Sequence, residues 1–120
     1  MATVVSFMVS MSSNTDLWTL ANGALESLLV MVEAMEVPEG SVPVSCDRGS
    51  DSVEITDGEN SYLVSWHAPT SQIWVASPIS GSVRFAYDSE KECWWDARGN
   101  QELFTFVKAE VCDIFGILGG

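Results

Sequence analysis

The sequence predicts an α+β fold, a two-layer sandwich in which an antiparallel sheet of about six strands is flanked by an N-terminal and a C-terminal helix. Three observations carry that expectation. Apolar residues recur at three- and four-residue steps near both ends of the chain. Between them lie short runs rich in Val, Ile, Tyr, Phe and Trp, broken about every eight to twelve residues by Gly, Pro, Asp or Asn. Finally, 120 residues with 47% hydrophobic side chains suffice for one core and hardly two. Residues 1–13 are expected to be a flexible N-terminal segment and 14–118 a single domain.

The first helix is expected from Thr15 to Glu36, where Leu17, Leu20, Ala24, Leu28, Met31 or Val32, and Met35 share one face. Ser13, Asn14 and Thr15 are capping candidates, Asp16 sits where a carboxylate meets the positive dipole end, and Pro38 and Gly40 mark the stop. Leu25, Leu29 and Val30 lie off this stripe, so part of the outer face is expected to meet a partner. Strands follow at 42–46, 52–57, 61–66, 72–77, 83–87 and 93–95, with turns at Arg48-Gly49-Ser50, Asp57 to Asn60, Ala68-Pro69-Thr70, Pro78 to Gly81 and Asp88 to Glu90. After Arg98-Gly99-Asn100, helical spacing returns at Leu103, Phe106, Val107, Val111, Ile114 and Leu118, and Gly119-Gly120 follows.

Seventeen Asp and Glu against five Lys and Arg give a net charge of -12, which repels phosphate backbones and sets nucleic acid aside as a partner. Residues 1–60 hold ten acids and one base, so the first half carries most of the negative field. Such a field attracts metal cations or a basic protein surface, or simply solubilises a face. Cys46, Cys93 and Cys112 are odd in number, far apart and form no C-x-x-C pair, against a disulfide framework or zinc site and for a reducing compartment. The apolar start M-A-T-V-V-S-F-M-V-S-M-S is too short to span a bilayer and lacks the arginines of a transit peptide.

No Ser or Cys stands in a nucleophile motif, no glycine-rich phosphate loop occurs, and the only histidine, His67, is read as a solvated turn residue. The carboxylates are more suggestive. Glu26 and Glu33 are seven apart on one helical face, Glu36 lies a turn beyond, and Glu39, Asp47 and Asp51 follow closely. Exposed oxygen ligands without an enclosing cage bind iron weakly and exchangeably, although the same spacing also suits a solvated face. In Gln72-Ile73-Trp74-Val75-Ala76-Ser77-Pro78, alternation puts Ile73 and Val75 on one face and Gln72, Trp74 and Ala76 on the other. Trp74 is then either a core side chain or an exposed interface anchor.

Gln72 to Pro78, followed by Ser80-Gly81 and Arg84-Phe85, resembles the frataxin signature of a Gln-Ile-Trp strand, a Ser-Pro turn and an Arg-aromatic strand. Leu25-Glu26-Ser27-Leu28 is similar to that family's first helix, and Gly99 with Leu103, Phe106, Val107 and Glu110 to its second, so the resemblance covers about residues 16–115. It implies a protein of iron–sulfur cluster assembly, a monomer, in the mitochondrion or a mitochondrion-related organelle, that docks on a cysteine desulfurase and its scaffold partner and modulates sulfur transfer. It assigns docking roles to Gln72, Trp74 and Arg84, with Ser65 where frataxins commonly place an asparagine, and acidic-ridge roles to Glu26 and Glu33. Asn22, Gly23, Val30 and Ala34 stand where many relatives have further carboxylates, and Cys93 where they have a tryptophan. The competing reading is an iron chaperone, store or ferroxidase using Glu26, Glu33 and Glu36, as ascribed to some frataxins. Binding is favoured over catalysis because di-iron oxidases use Glu-x-x-His ligands, and no such motif occurs.

Overall fold

The computed structural model describes residues 14–35 and 43–116. The elements are α1 (Asn14–Glu33), β1 (Ser45–Arg48), β2 (Ser52–Thr56), β3 (Ser61–His67), a 3-10 turn (Ala68–Thr70), β4 (Gln72–Ser77), β5 (Gly81–Asp88), β6 (Cys93–Asp96), β7 (Gln101–Glu102) and α2 (Leu103–Phe115). The expected N-terminal segment 1–13, the helix stop at Pro38 and Gly40, and Leu118 to Gly120 lie outside the described residues.

All strands pair antiparallel in one sheet of order β1-β2-β3-β4-β5-β6-β7, each beside its neighbour in sequence. The turns explain this meander, because one device recurs. An Asp or Ser side chain at a strand end accepts backbone N–H groups from the residues that follow. Asp57 Oδ1 accepts from Glu59 N at 2.9 Å and Asn60 N at 2.8 Å. Ser77 Oγ accepts from Ile79 N and Ser80 N, and Asp88 Oδ1 from Glu90 N and Lys91 N. Asp96 Oδ1 takes Arg98 N in the same way.

Three expectations are corrected. The first strand is Ser45–Arg48 rather than 42–46, because Asp47 and Arg48 pair with Glu54 and Val53 and so extend the strand into the expected turn. The fifth strand starts at Gly81 and reaches Asp88, with Gly81 at a φ of 75° that favours glycine. A seventh strand, Gln101–Glu102, pairs with Trp95 and Asp96. At two residues it has no alternation to read.

The core lies between the sheet and the two helices. Val53, Ile55, Tyr62, Val64, Ile73, Val75, Phe85 and Trp94 from the sheet pack with Ala21, Ala24, Leu25, Leu28 and Val32 of α1 and Leu103, Val107, Val111 and Phe115 of α2. The buried face of α1 is thus rotated from the expected one. Leu25 is fully buried although it was placed off the stripe, and Leu20 is 41% exposed although it was placed on it. The row Ala21, Leu25, Leu28 and Val32 keeps three- and four-residue steps, and α1 is apolar enough that either row fits its pattern. In α2 the buried row is Leu103, Val107, Val111 and Phe115, while Phe106 is only partly buried, 5.5 Å from the Phe85 ring.

Candidate functional site

With both helices packed on one side of the core, the other sheet face is left open. β4 alternates so that Ile73, Val75 and Ser77 are buried while Gln72 and Trp74 are half-buried and Ala76 is exposed. Trp74 therefore stands on the open face. Register places Ser65, Trp74 and Arg84 directly opposite one another on β3, β4 and β5, and places His67 opposite Gln72. The four residues expected to dock, Ser65, Gln72, Trp74 and Arg84, form one contiguous patch.

Trp74 is fixed there by its neighbours. Its Nε1 donates to Gln72 Oε1 at 3.0 Å, and the Arg84 guanidinium carbon lies 4.5 Å from the ring centroid, within cation–π range. The His67 ring stacks on it at 3.7 Å between centroids and 13° between planes. His67 Nδ1 is in turn 2.9 Å from Thr70 Oγ1, which anchors the imidazole to the following 3-10 turn. An aromatic ring held on a rigid strand from both flanking strands loses little conformational freedom on binding. His67 is thus part of the open-face patch rather than a solvated turn residue. Counting outward from the Ala68–Ser71 turn pairs it with Gln72, diagonal to Trp74, and that hairpin arithmetic was the missed signal.

The acidic residues are arranged differently. Glu26 and Glu33 are exposed on α1, Asp47 is exposed on the edge strand β1, and Asp51 is exposed in the β1–β2 turn. Glu36 and Glu39 lie outside the described residues. Arg48 Nε donates to Glu26 Oε1 at 3.0 Å, and a second guanidinium nitrogen donates to Asn22 Oδ1. Arg48 thus clamps β1 to α1 and offsets the charge of Glu26. Asp47 points to the opposite face of β1 from Arg48, beside Glu54, so the helix and sheet carboxylates do not converge. Among the described residues, no group of three or more His, Cys, Asp or Glu is arranged to hold a metal ion. Separate exposed carboxylates suit weak oxygen ligation of a hard cation rather than a cage.

The three cysteines are free. Burial, reinforced by Glu33 and Asp47, pushes the Cys46 thiol up to about 11. Burial also raises Cys93, with Glu102 and Asp88 adding to it. Neither is poised as a thiolate. Glu110 of α2 is a structural acceptor, taking the Tyr62 hydroxyl at 3.0 Å and the Ser80 hydroxyl, and so tying α2 to β3 and the β4–β5 turn.

The model of the frataxin-like domain matches residues 10–117 of the chain. The chain is similar to the mitochondrial frataxin of Dictyostelium discoideum, 35% identical over 66 residues that cover 53% of this chain and 34% of that protein. It is also similar to the mitochondrial frataxin of Arabidopsis thaliana, 26% identical over 98 residues, covering 81% of this chain and 52% of that one. The chain thus spans a third to a half of the length of these relatives. The frataxin of Psychromonas ingrahamii shares the fold at a TM-score of 0.70 and 17% identity, covering 86% of this chain and 91% of that one. So does the yeast protein, solved as a trimer complexed with ferrous iron, at a TM-score of 0.61 and 24% identity, with 88% of each chain covered.

Proposed function

The chain belongs to the frataxin family, and from that premise we propose that it is an iron-binding regulator of iron–sulfur cluster assembly acting in the mitochondrion. It docks on the cysteine desulfurase and its scaffold partner through the open sheet face and modulates sulfur transfer. The observation that carries this reading is the pre-positioned Trp74, stacked on His67, bonded to Gln72 and faced by Arg84. A rigid aromatic with a guanidinium beside it, half-buried in the free chain and burying fully in a complex, is the composition expected of an interface hot spot.

Iron is cargo in this reading. Glu26, Glu33, Asp47 and Asp51 supply exposed oxygens that hold a ferrous or ferric ion loosely and release it readily, with Glu36 and Glu39 nearby in sequence. Docking through Trp74 and iron ligation by Glu26 and Glu33 use different surfaces, the open sheet face and the acidic helix, so one can be removed without the other.

The test is cysteine desulfurase turnover in a reconstituted assembly complex at fixed ferrous iron, with this protein and with its Trp74→Ala variant. A change in turnover produced by the wild type and lost in the variant supports the reading. Equal behaviour of the two overturns it.

A further inference from the structure

The open face is electrically polarised across the sheet. At one end Asp47 on β1 and Glu54 on β2 are exposed and paired side by side. At the other end, three of the chain's five cations gather: Arg84 on β5, Lys91 after β5, and Arg98 after β6. Arg84 and Arg98 line one recess of about 320 Å³ together with Gln72, Ser82, Ala86 and Trp95. The Lys91 ammonium lies 4.8 Å from the Trp95 ring centroid at its rim. Neither arginine is in an ion pair with a described residue. In a chain of net charge -12, two exposed guanidiniums that share a recess without an ion-pair partner among the described residues are conspicuous, because acids are plentiful.

We propose that the recess between Arg84, Trp95 and Arg98 is a carboxylate-binding pocket that receives acidic side chains of the docked partner. This rests on the docking reading above and adds the partner's chemistry: the partner surface is acidic where it meets β5 and the β6–β7 turn. Guanidiniums hold carboxylates in bidentate geometry, and Trp95 provides a flat apolar wall that desolvates the pair. Asp47 and Glu54 lie about 14 Å or more away across the sheet, at ~4.8 Å per strand. They repel an acidic segment laid on the wrong end, so the polarity fixes the direction in which the partner lies across the face. Asp96, at the floor of the recess, does not compete for the arginines, since its carboxylate accepts from Arg98 N and Gln101 Nε2.

The experiment is affinity for the reconstituted desulfurase–scaffold complex across a salt series, measured for the wild type, Arg98→Glu, Arg98→Lys and Trp74→Ala. Arg98 is exposed, and thermal midpoints verify that the variants are folded. The expected result is at least a tenfold loss for Arg98→Glu with a shallower salt dependence, and a smaller loss for Arg98→Lys, which keeps the charge without the fork. If Trp74→Ala weakens binding while Arg98→Glu changes neither affinity nor salt slope, the pocket is refuted and docking stands. If Arg98→Glu binds more tightly, the partner is basic there and the proposal is overturned. If no variant weakens binding, the docking reading fails and takes the pocket with it.

Discussion

Trp74 reaches solvent although it lies among core-forming residues, because strand alternation leaves no choice once Ile73 and Val75 are buried. Removing its ring deletes no helix–sheet contact. Trp74→Ala is therefore expected to leave the urea midpoint within about 1 kcal/mol of wild type while costing about 2 kcal/mol or more in partner binding, as calorimetry would show. Leu28→Ala inverts that pattern, losing about 2–5 kcal/mol of stability by emptying a fully buried site. Arg48 gives a third prediction. It is bonded to Glu26 and Asn22, so Arg48→Ala frees a carboxylate on the acidic helix. Ferrous affinity in an anaerobic titration is expected to rise, while stability falls by about 1–3 kcal/mol, because the Arg48 side chain is only 18% exposed and also bonds Asn22 and backbone carbonyls of the β1–β2 turn. An unchanged affinity would mean that Glu26 is not an iron ligand. At this scale the sequence showed which residue types mattered but not their partners. The Arg48–Glu26 pair spans 22 positions and depends on β1 running alongside α1, which no local pattern encodes.

The elements end where side chains can satisfy free backbone groups. Glu102 caps α2 with both oxygens, Oε2 accepting Phe104 N at 2.7 Å and Oε1 accepting Thr105 N at 3.0 Å. Glu102→Ala should lower stability by about 1 kcal/mol in denaturant unfolding; no loss would show that the cap is made in another way. At the far end, Gly116 adopts a φ of 64° with open space around it, so Gly116→Ala costs only the left-handed backbone penalty of about 1 kcal/mol. The strands were legible because alternation and turn residues coincide: 72–77 was placed to the residue, and 52–57, 61–66 and 93–95 to within one at the far end. Errors fell where these signals separate. Asp47 and Arg48 look like turn residues yet continue β1, and α1 carries so many apolar residues that its expected face lies about a sixth of a turn from the buried one.

Across the whole molecule, charge and burial divide the labour. The two helices close one sheet face, and the other is left open. Alkaline pH probes the closed side. The folded protein holds the Cys46 proton more tightly than an ordinary thiol of 9.0, so that contribution is intact below about pH 9 and is lost as pH rises to about 11. Tyr62, its hydroxyl raised by burial and by Glu110, acts in the same direction at higher pH. Stability should therefore fall across this window, with a smaller drop in Cys46→Ala, as thermal midpoints would reveal. The acidic balance and the family resemblance were visible in the sequence. The polarity of the open face was not, because Arg84 and Arg98 meet only through sheet register and the β6–β7 turn.

The central claim is that the open face, not the acidic helix alone, meets the assembly complex. Its most direct test is amide and indole chemical-shift mapping of this protein as unlabelled desulfurase–scaffold complex is added. The account predicts loss or displacement of the Trp74 indole signal together with Ser65, Gln72 and Arg84, while buried α1 positions such as Leu25 stay unperturbed. Perturbations confined to α1, with Trp74 unmoved at saturation, would contradict it.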